Sequence, residues 1–202
     1  MGADGSIHAW GADNWTQVSS TPSSAGFTGL TAGHGHSLAL GAVDGGGAYC
    51  FGDGTGATCP CLLASNPGEG CPNTSGVGGA TLLALGTPSF TNDTFQLQVS
   101  GIPGAKAGLC VKGSSLLGGG NGNGVGDGLL CTSPQKRSQV IVSDGGGNLT
   151  MSNWRGQPFG AFPGVANVGA PTYYQWWYRD PLNLCSGSGF NFTNGWAATW
   201  QP

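Results

Sequence analysis

Glycine interrupts this chain too often, and charge is too scarce, for helices to carry its fold. Of 202 residues, 41 are Gly, only 7% are charged, and Glu69 is the single glutamate. A helical bundle draws on Ala, Leu, Glu, Lys and Arg, yet Lys and Arg together number six. A coiled coil fails on the same ground. The glycines keep no three-residue period, which excludes collagen. With 38% hydrophobic residues, seven Trp and a net charge of −3, wholesale disorder is excluded as well. The remaining class is a strand-and-turn protein, long enough for one large domain or a domain with an appendage, and able to bury a sizeable core.

Short strand-like stretches between Gly-rich turns recur along the chain. The clearest are residues 81–85, 94–100, 108–112, 129–132 and 137–143, with 173–179 and 191–200 closing the chain. Thr94-Phe95-Gln96-Leu97-Gln98-Val99-Ser100 alternates apolar and polar side chains, the pattern of a half-buried strand. Such spacing predicts an all-β, jelly-roll-like antiparallel sandwich.

The first residues follow a different rhythm. Asp4-Gly5-Ser6-Ile7-His8-Ala9-Trp10-Gly11 is echoed by Asp44-Gly45-Gly46-Gly47-Ala48-Tyr49-Cys50-Phe51-Gly52. Between them lie Trp15-Thr16-Gln17-Val18 and His36-Ser37-Leu38-Ala39-Leu40. A period of about 40 residues built of short strands marks a propeller blade. Residues 1–47 resemble one bacterial repeat of the β-propeller named after the regulator of chromosome condensation, with Thr16 where that repeat has glycine. The resemblance implies a propeller-blade-like N-terminal appendage. A lone blade cannot cover its own faces and must pack on the rest of the chain, pair with another chain, or belong to a longer array. The opening Met1-Gly2-Ala3-Asp4 runs straight into patterned sequence, as a fragment of a longer reading frame does.

Seven cysteines bear on the compartment: Cys50, Cys59, Cys61, Cys71, Cys110, Cys131 and Cys185. Zinc knuckles want paired cysteines two to four residues apart. Here Cys59-Pro60-Cys61 stands between single cysteines, with no histidine close by and Gly, Pro, Asn and Thr around it. Disulfides fit that loop better. Because adjacent C-x-C sulfurs bond each other only under strain, Cys59 and Cys61 are expected to reach Cys50 and Cys71 in some order. Cys131 and Cys185 then form the long-range pair. Cys110, in the apolar run Gly108-Leu109-Cys110-Val111, reads as a buried free thiol. The domains expected are residues 1–47 as the blade, 48–80 as a Cys-rich loop segment on the sandwich, and 81–202 as the sandwich itself.

Residues 49–202 resemble a family of secreted, largely uncharacterised β-rich proteins of environmental bacteria. The motifs are Phe51-Gly52-Asp53-Gly54 through Cys71, Gly126-Asp127-Gly128-Leu129-Leu130-Cys131, Tyr173-Tyr174-Gln175-Trp176-Trp177-Tyr178-Arg179-Asp180-Pro181 and Phe190-Asn191-Phe192-Thr193-Asn194-Gly195. The resemblance implies a secreted surface module and brings no activity with it.

The aromatic run 173–178 is the foremost candidate site. In a strand, Tyr173, Gln175, Trp177 and Arg179 share one face, and Tyr174, Trp176, Tyr178 and Asp180 the other. Indoles stack on the flat C–H faces of sugars. Tyr174, Trp176, Tyr178 and Trp177 are therefore candidate carbohydrate ligands, with Trp176 first if its face is open; the alternative is that one face is core. Asn121, Asn123 and Asp127 place oxygens at alternating positions in a Gly loop, a sparse set for calcium. The pair His34 and His36 reads as structural turn residues of the repeat.

Catalytic chemistry finds little to work with. The only histidines, His8, His34 and His36, lie in the appendage, and no G-x-S-x-G elbow exists. Most aspartates adjoin Gly, the mark of turns, and Asp180 reads as an ion pair or a turn cap. No catalytic residue is assigned and no cofactor is required. Nucleic acid is excluded as a partner because no basic stripe exists. No apolar run reaches the ~18 residues of a membrane span, and no signal peptide is visible. The expected protein is secreted or at the cell surface, and non-catalytic. Its role is adhesion or recognition, with polysaccharide or a cell-surface protein as partner. The alternatives are a structural subunit that self-associates through exposed β-edges and an extracellular hydrolase. Asn14, Asn73, Asn92, Asn148 and Asn191 each head an Asn-x-Ser/Thr triplet, which matters in a glycosylating host.

Overall fold

Residues 14, 27–32, 37–41, 46–76, 78–152, 169–182 and 185–202 are described by the structure, a computed structural model. The chain divides into two units, Met1–Val43 and Asp44–Pro202. In the first, β1 (Phe27–Ala32) and β2 (Ser37–Gly41) form an antiparallel pair, with Thr31 opposite Leu38 and a bulge between Phe27 and Gly29. Most of the propeller-like pattern, including Asp4 to Gly11 with His8, and also His34 and His36, lies outside the described residues.

The described residues of the second unit are strand, turn and loop, with one 3-10 turn. Its strands are β3 (Gly47–Tyr49), β4 (Thr81–Leu85), β5 (Gln96–Ser100), β6 (Ala107–Gly113), β7 (Ser115–Leu116), β8 (Asn123–Val125), β9 (Gly128–Leu130), β10 (Thr132–Ser133), β11 (Lys136–Arg137), β12 (Ile141–Val142), β13 (Leu149–Met151), β14 (Pro171–Arg179) and β15 (Phe190–Thr199). Among the described residues the only helical turn is a 3-10 turn at Gly118–Gly120. The main sheet runs β11-β6-β14-β15-β3, with β12 also pairing β6; the second runs β13-β5-β4, and every pair in both is antiparallel. Residues 137–143 thus form two short strands, β11 and β12, rather than the one expected. Between them Ser138 takes over the ladder: Cys110 N–H donates to Ser138 Oγ at 2.9 Å and Ser138 N–H to Cys110 O at 2.9 Å.

Alternation decides how the sheets meet. On β14 the even residues Tyr174, Trp176 and Tyr178 point to the second sheet. They pack there with Leu82, Phe95, Leu97, Val99, Ile102, Cys110, Met151, Ala198 and Trp200 in one buried cluster. This is face-to-face sandwich packing. Three of its aromatic polar groups find partners inside it, where an unpaired group is expensive: Trp200 Nε1 donates to Tyr174 Oη at 2.9 Å, and Asn73 Nδ2 to Tyr178 Oη at 3.0 Å, while the buried Trp176 Nε1 has no hydrogen-bond partner among the described residues. Asn194 joins the sheets directly. Its carboxamide accepts Leu82 N–H at 2.7 Å and donates to Leu82 O at 3.0 Å, so a side chain replaces a neighbouring strand at that edge of β4.

The opposite face of the main sheet carries a third layer. Cys50, Cys59, Cys71, Leu129 and Cys131 form a second buried cluster with Tyr49 and Ala57 against it. Three disulfides brace it: Cys50–Cys131, Cys59–Cys71 and Cys61–Cys185, with Cα separations of 6.0, 5.7 and 5.5 Å. The expected six cysteines are oxidised and Cys110 is the buried free thiol. Two pairings differ from expectation. Cys50 leaves the edge strand β3 over the sheet and meets Cys131 at the β9–β10 junction; Cys61 meets Cys185 beyond the end of β14. Proximity in sequence within the Cys-rich head does not reflect which loops the sheet brings together. Closeness of packing also explains a glycine. A Cβ on Gly122, whose φ is +79°, would stand 2.6 Å from Cys50 Sγ.

Gln175 ties this cap to the sheet. Completely buried on β14, it donates from Nε2 to Leu129 O at 2.8 Å and Thr193 O at 2.7 Å and accepts Cys131 N–H at 3.0 Å. Asn191 does the same on β15, donating to Pro72 O at 2.8 Å. The main sheet is therefore covered on both sides, by apolar packing on one and by a cross-linked polar cap on the other.

Candidate functional site

The covering of both faces corrects the first choice of ligand residues. Tyr174, Trp176 and Tyr178 belong to the core, with Trp176 at 0% exposure. A sugar cannot stack on a ring that has no open side, so these three are structural. Burial also pushes the Tyr174 and Tyr178 phenols well above their ordinary value. Trp177, on the other face, is the one candidate of the four that is partly exposed.

Around Trp177 the strand register assembles an aromatic strip. Trp177 lies opposite Phe192, and Arg179 opposite Phe190. The Trp177 and Phe190 rings stand 5.8 Å apart and tilted by 39°; Phe190 meets Phe192 edge-on at 5.9 Å. The Arg179 guanidinium sits 5.3 Å from the Trp177 ring centroid, a cation–π contact. Further along the same face, Tyr173 meets Tyr49 edge-on at 5.7 Å. Burial first, then the neighbouring Tyr173, raises the Tyr49 phenol above its usual value. Trp177 and Phe190 are partly exposed and Arg179 is exposed, so they form a partly open aromatic rim beside the cap; the partly exposed Tyr173 is separated from them along β14 by Gln175, which the cap buries completely. Sequence reasoning misses Phe190 as a rim residue; its signal is the Phe-x-Phe alternation at 190–192 opposite an aromatic strand.

The three residues proposed for calcium have different neighbours. Asn121 Oδ1 faces Gly56, where a Cβ would come within 2.9 Å of it. Asn123 Oδ1 faces Gly118. Asp127 is fully buried and accepts Ser186 N–H at 2.8 Å and Cys185 N–H at 3.4 Å. Its Oδ1 lies 3.6 Å from the sulfurs of both Cys61 and Cys185; those sulfurs are bonded to each other and carry no proton, so these are contacts rather than hydrogen bonds.

Other carboxylates hold turns. Asp180, also fully buried, accepts the Thr74 N–H at 3.2 Å and the Thr74 hydroxyl, so it caps the 73–75 turn. Glu69 accepts Gly79 N–H at 2.7 Å and the Asn66 carboxamide. At Asp53 some burial works to raise the carboxyl, but hydrogen bonds from the Thr55 hydroxyl and N–H and from Gly68 N–H outweigh it and hold it below the usual range. A cleft of about 440 Å³ opens between the 74–75 turn, residues 101–104, Lys106 and the 145–146 turn. Four of its nine lining residues are Gly, and the rest come from separate turns, so no local side-chain pattern in the sequence marks it.

The chain matches no protein-family model, no curated protein and no solved structure. Among the described residues no helix is long and apolar enough to cross a membrane.

Proposed function

We propose that this protein is a secreted, non-catalytic recognition module that binds polysaccharide along the Trp177 and Phe190 rim, with Arg179 beside it. The observation that carries the reading is the partly open Trp177 ring, on a strand whose neighbours are fixed on both faces. A rigid strip loses little freedom when a ligand lies on it, and an indole offers a flat face to sugar C–H groups. The guanidinium of Arg179 donates hydrogen bonds to hydroxyl or acidic groups on the same chain of sugars. Three disulfides support an oxidising, extracytoplasmic home. The resemblances of residues 1–47 to a propeller repeat and of residues 49–202 to secreted bacterial proteins agree with a surface module. Affinity electrophoresis through a panel of neutral and acidic polysaccharides tests it. At least one polysaccharide should retard the protein, and Trp177→Ala should remove the retardation while near-UV circular dichroism stays native. Unretarded migration on every gel, or retardation that survives Trp177→Ala, refutes the reading.

A further inference from the structure

Among the described residues, one group of metal-ligating side chains gathers its ligand atoms: Cys61, Asp127 and Cys185, all within 4.8 Å of one another. In the oxidised protein two of the three are spent on a disulfide. We propose that a thiol reductant opens the Cys61–Cys185 bridge and so creates a binding site for a thiolate-preferring divalent cation such as zinc. The ligands are both sulfurs and the Asp127 carboxylate, with solvent in the fourth position.

The carboxylate already stands where such a site needs it. Zinc–sulfur bonds of ~2.3 Å and zinc–oxygen bonds of ~2.0 Å in tetrahedral array put oxygen and sulfur about 3.5 Å apart. Asp127 Oδ1 lies 3.6 Å from each sulfur. Only the sulfurs must part, to about 3.8 Å by the same geometry.

The scaffold outlasts the bridge. Cys59–Cys71 anchors the chain two residues before Cys61. On the other side, Asp127 holds Cys185 and Ser186 through their N–H groups, and is itself fixed by donating its N–H to Phe190 O at 3.2 Å. Reduction is selective for the same bridge. Cys185 is exposed and Cys61 partly so, whereas Cys50, Cys59, Cys71 and Cys131 are all buried, and exchange requires an attacking thiolate to reach a sulfur.

The electrons and protons balance simply. One reductant thiolate attacks a sulfur of the bridge and forms a mixed disulfide; a second releases it. Two reductant thiols leave as their disulfide, having passed two electrons, and Cys61 and Cys185 end as thiols. Cation binding then expels their two protons to solvent.

The test uses the whole chain. Limiting dithiothreitol is added and removed under argon, released thiols are mapped by alkylation and mass spectrometry, and cobalt(II) is titrated in as a spectroscopic substitute for zinc. The labels should fall on Cys61 and Cys185. One cobalt per chain should bind, with the thiolate charge-transfer and visible bands of a tetrahedral site, and zinc should bleach them. The oxidised protein should show none. Asp127→Asn should weaken binding at least about tenfold, and Cys185→Ser should abolish the band. Because Asp127 is buried and its replacement can disturb folding, X-ray absorption on the unsubstituted zinc form gives an independent count, expected at two sulfurs with the remaining ligands oxygen or nitrogen. Labels on Cys50, Cys59, Cys71 or Cys131, no band in the mapped protein, unchanged affinity in Asp127→Asn, or any other sulfur count overturns the proposal; a label on Cys110, free before reduction, is common to both forms.

Discussion

The two faces of the central sheet are covered by different physics, one completely and the other only in part. Toward the second sheet, Tyr174, Trp176 and Tyr178 interlock with Phe95, Leu97 and Trp200, and dispersion with water exclusion does the holding. Toward the cap, a small cluster of sulfurs and Leu129 is held by covalent bonds and by the hydrogen bonds of Gln175 and Asn191. The cap has too little apolar area to stay closed by itself, so cross-links restrict its open states. A segment poor in hydrophobic mass can thus be made into a layer if a few side-chain amides replace missing strand partners.

Truncation separates the two modes most sharply. Trp176→Ala should cost about 4 kcal/mol, the penalty of a large cavity in a packed core. Trp177→Ala, next door but on the rim, should cost under about 1 kcal/mol; urea melts of the two proteins compare them directly, and equal losses would erase the distinction. On the cap side, Gln175→Leu keeps the volume but strands Cys131 N–H, Leu129 O and Thr193 O. A loss of about 3 kcal/mol is expected, accompanied by faster hydrogen exchange at residues 129–131 rather than in β5. Alkali should bring the smallest change. Burial raises the Tyr174 and Tyr178 phenols and pushes the Cys110 thiol up to about 12, and all three lie in the aromatic core. Above about pH 9 the unfolded chain sheds protons that the folded chain keeps, so stability must fall as pH rises. Tyr178→Phe should flatten that slope in a pH series of thermal melts, and an unchanged slope would show that the phenol is not the group responsible.

Much of the fold was legible because alternation and turns are local. Thr81–Leu85 appears with the bounds expected, and the strands around 108–112, 173–179 and 191–200 differ only slightly from their predicted ends. Cys110 was legible from its apolar neighbours. Which residues of β14 stay partly open was not. A strand covered on both sides carries large apolar residues at successive positions, so the period that marks inside from outside disappears. Disulfide partners were hidden for a related reason: the pairing depends on which loops the sheet order brings together, a long-range fact. Gln175 and Asn194 look like ordinary polar surface residues in the sequence, and only the buried carbonyls and N–H groups around them reveal their work.

The two buried asparagines that anchor the cap and core have a practical sequel. Asn73 and Asn191 each head a glycan-acceptor triplet, yet their carboxamide nitrogens are occupied by Gly101 O, Tyr178 Oη and Pro72 O. An oligosaccharide attached to either nitrogen during translocation through a eukaryotic secretory pathway has no room in the finished molecule, and the modified nascent chain would be barred from closing around it. Production in a yeast or insect-cell secretion system therefore calls for Thr193 and Ser75 variants or a host without the transferase, whereas the exposed Asn92 and Asn148 would carry such sugars harmlessly.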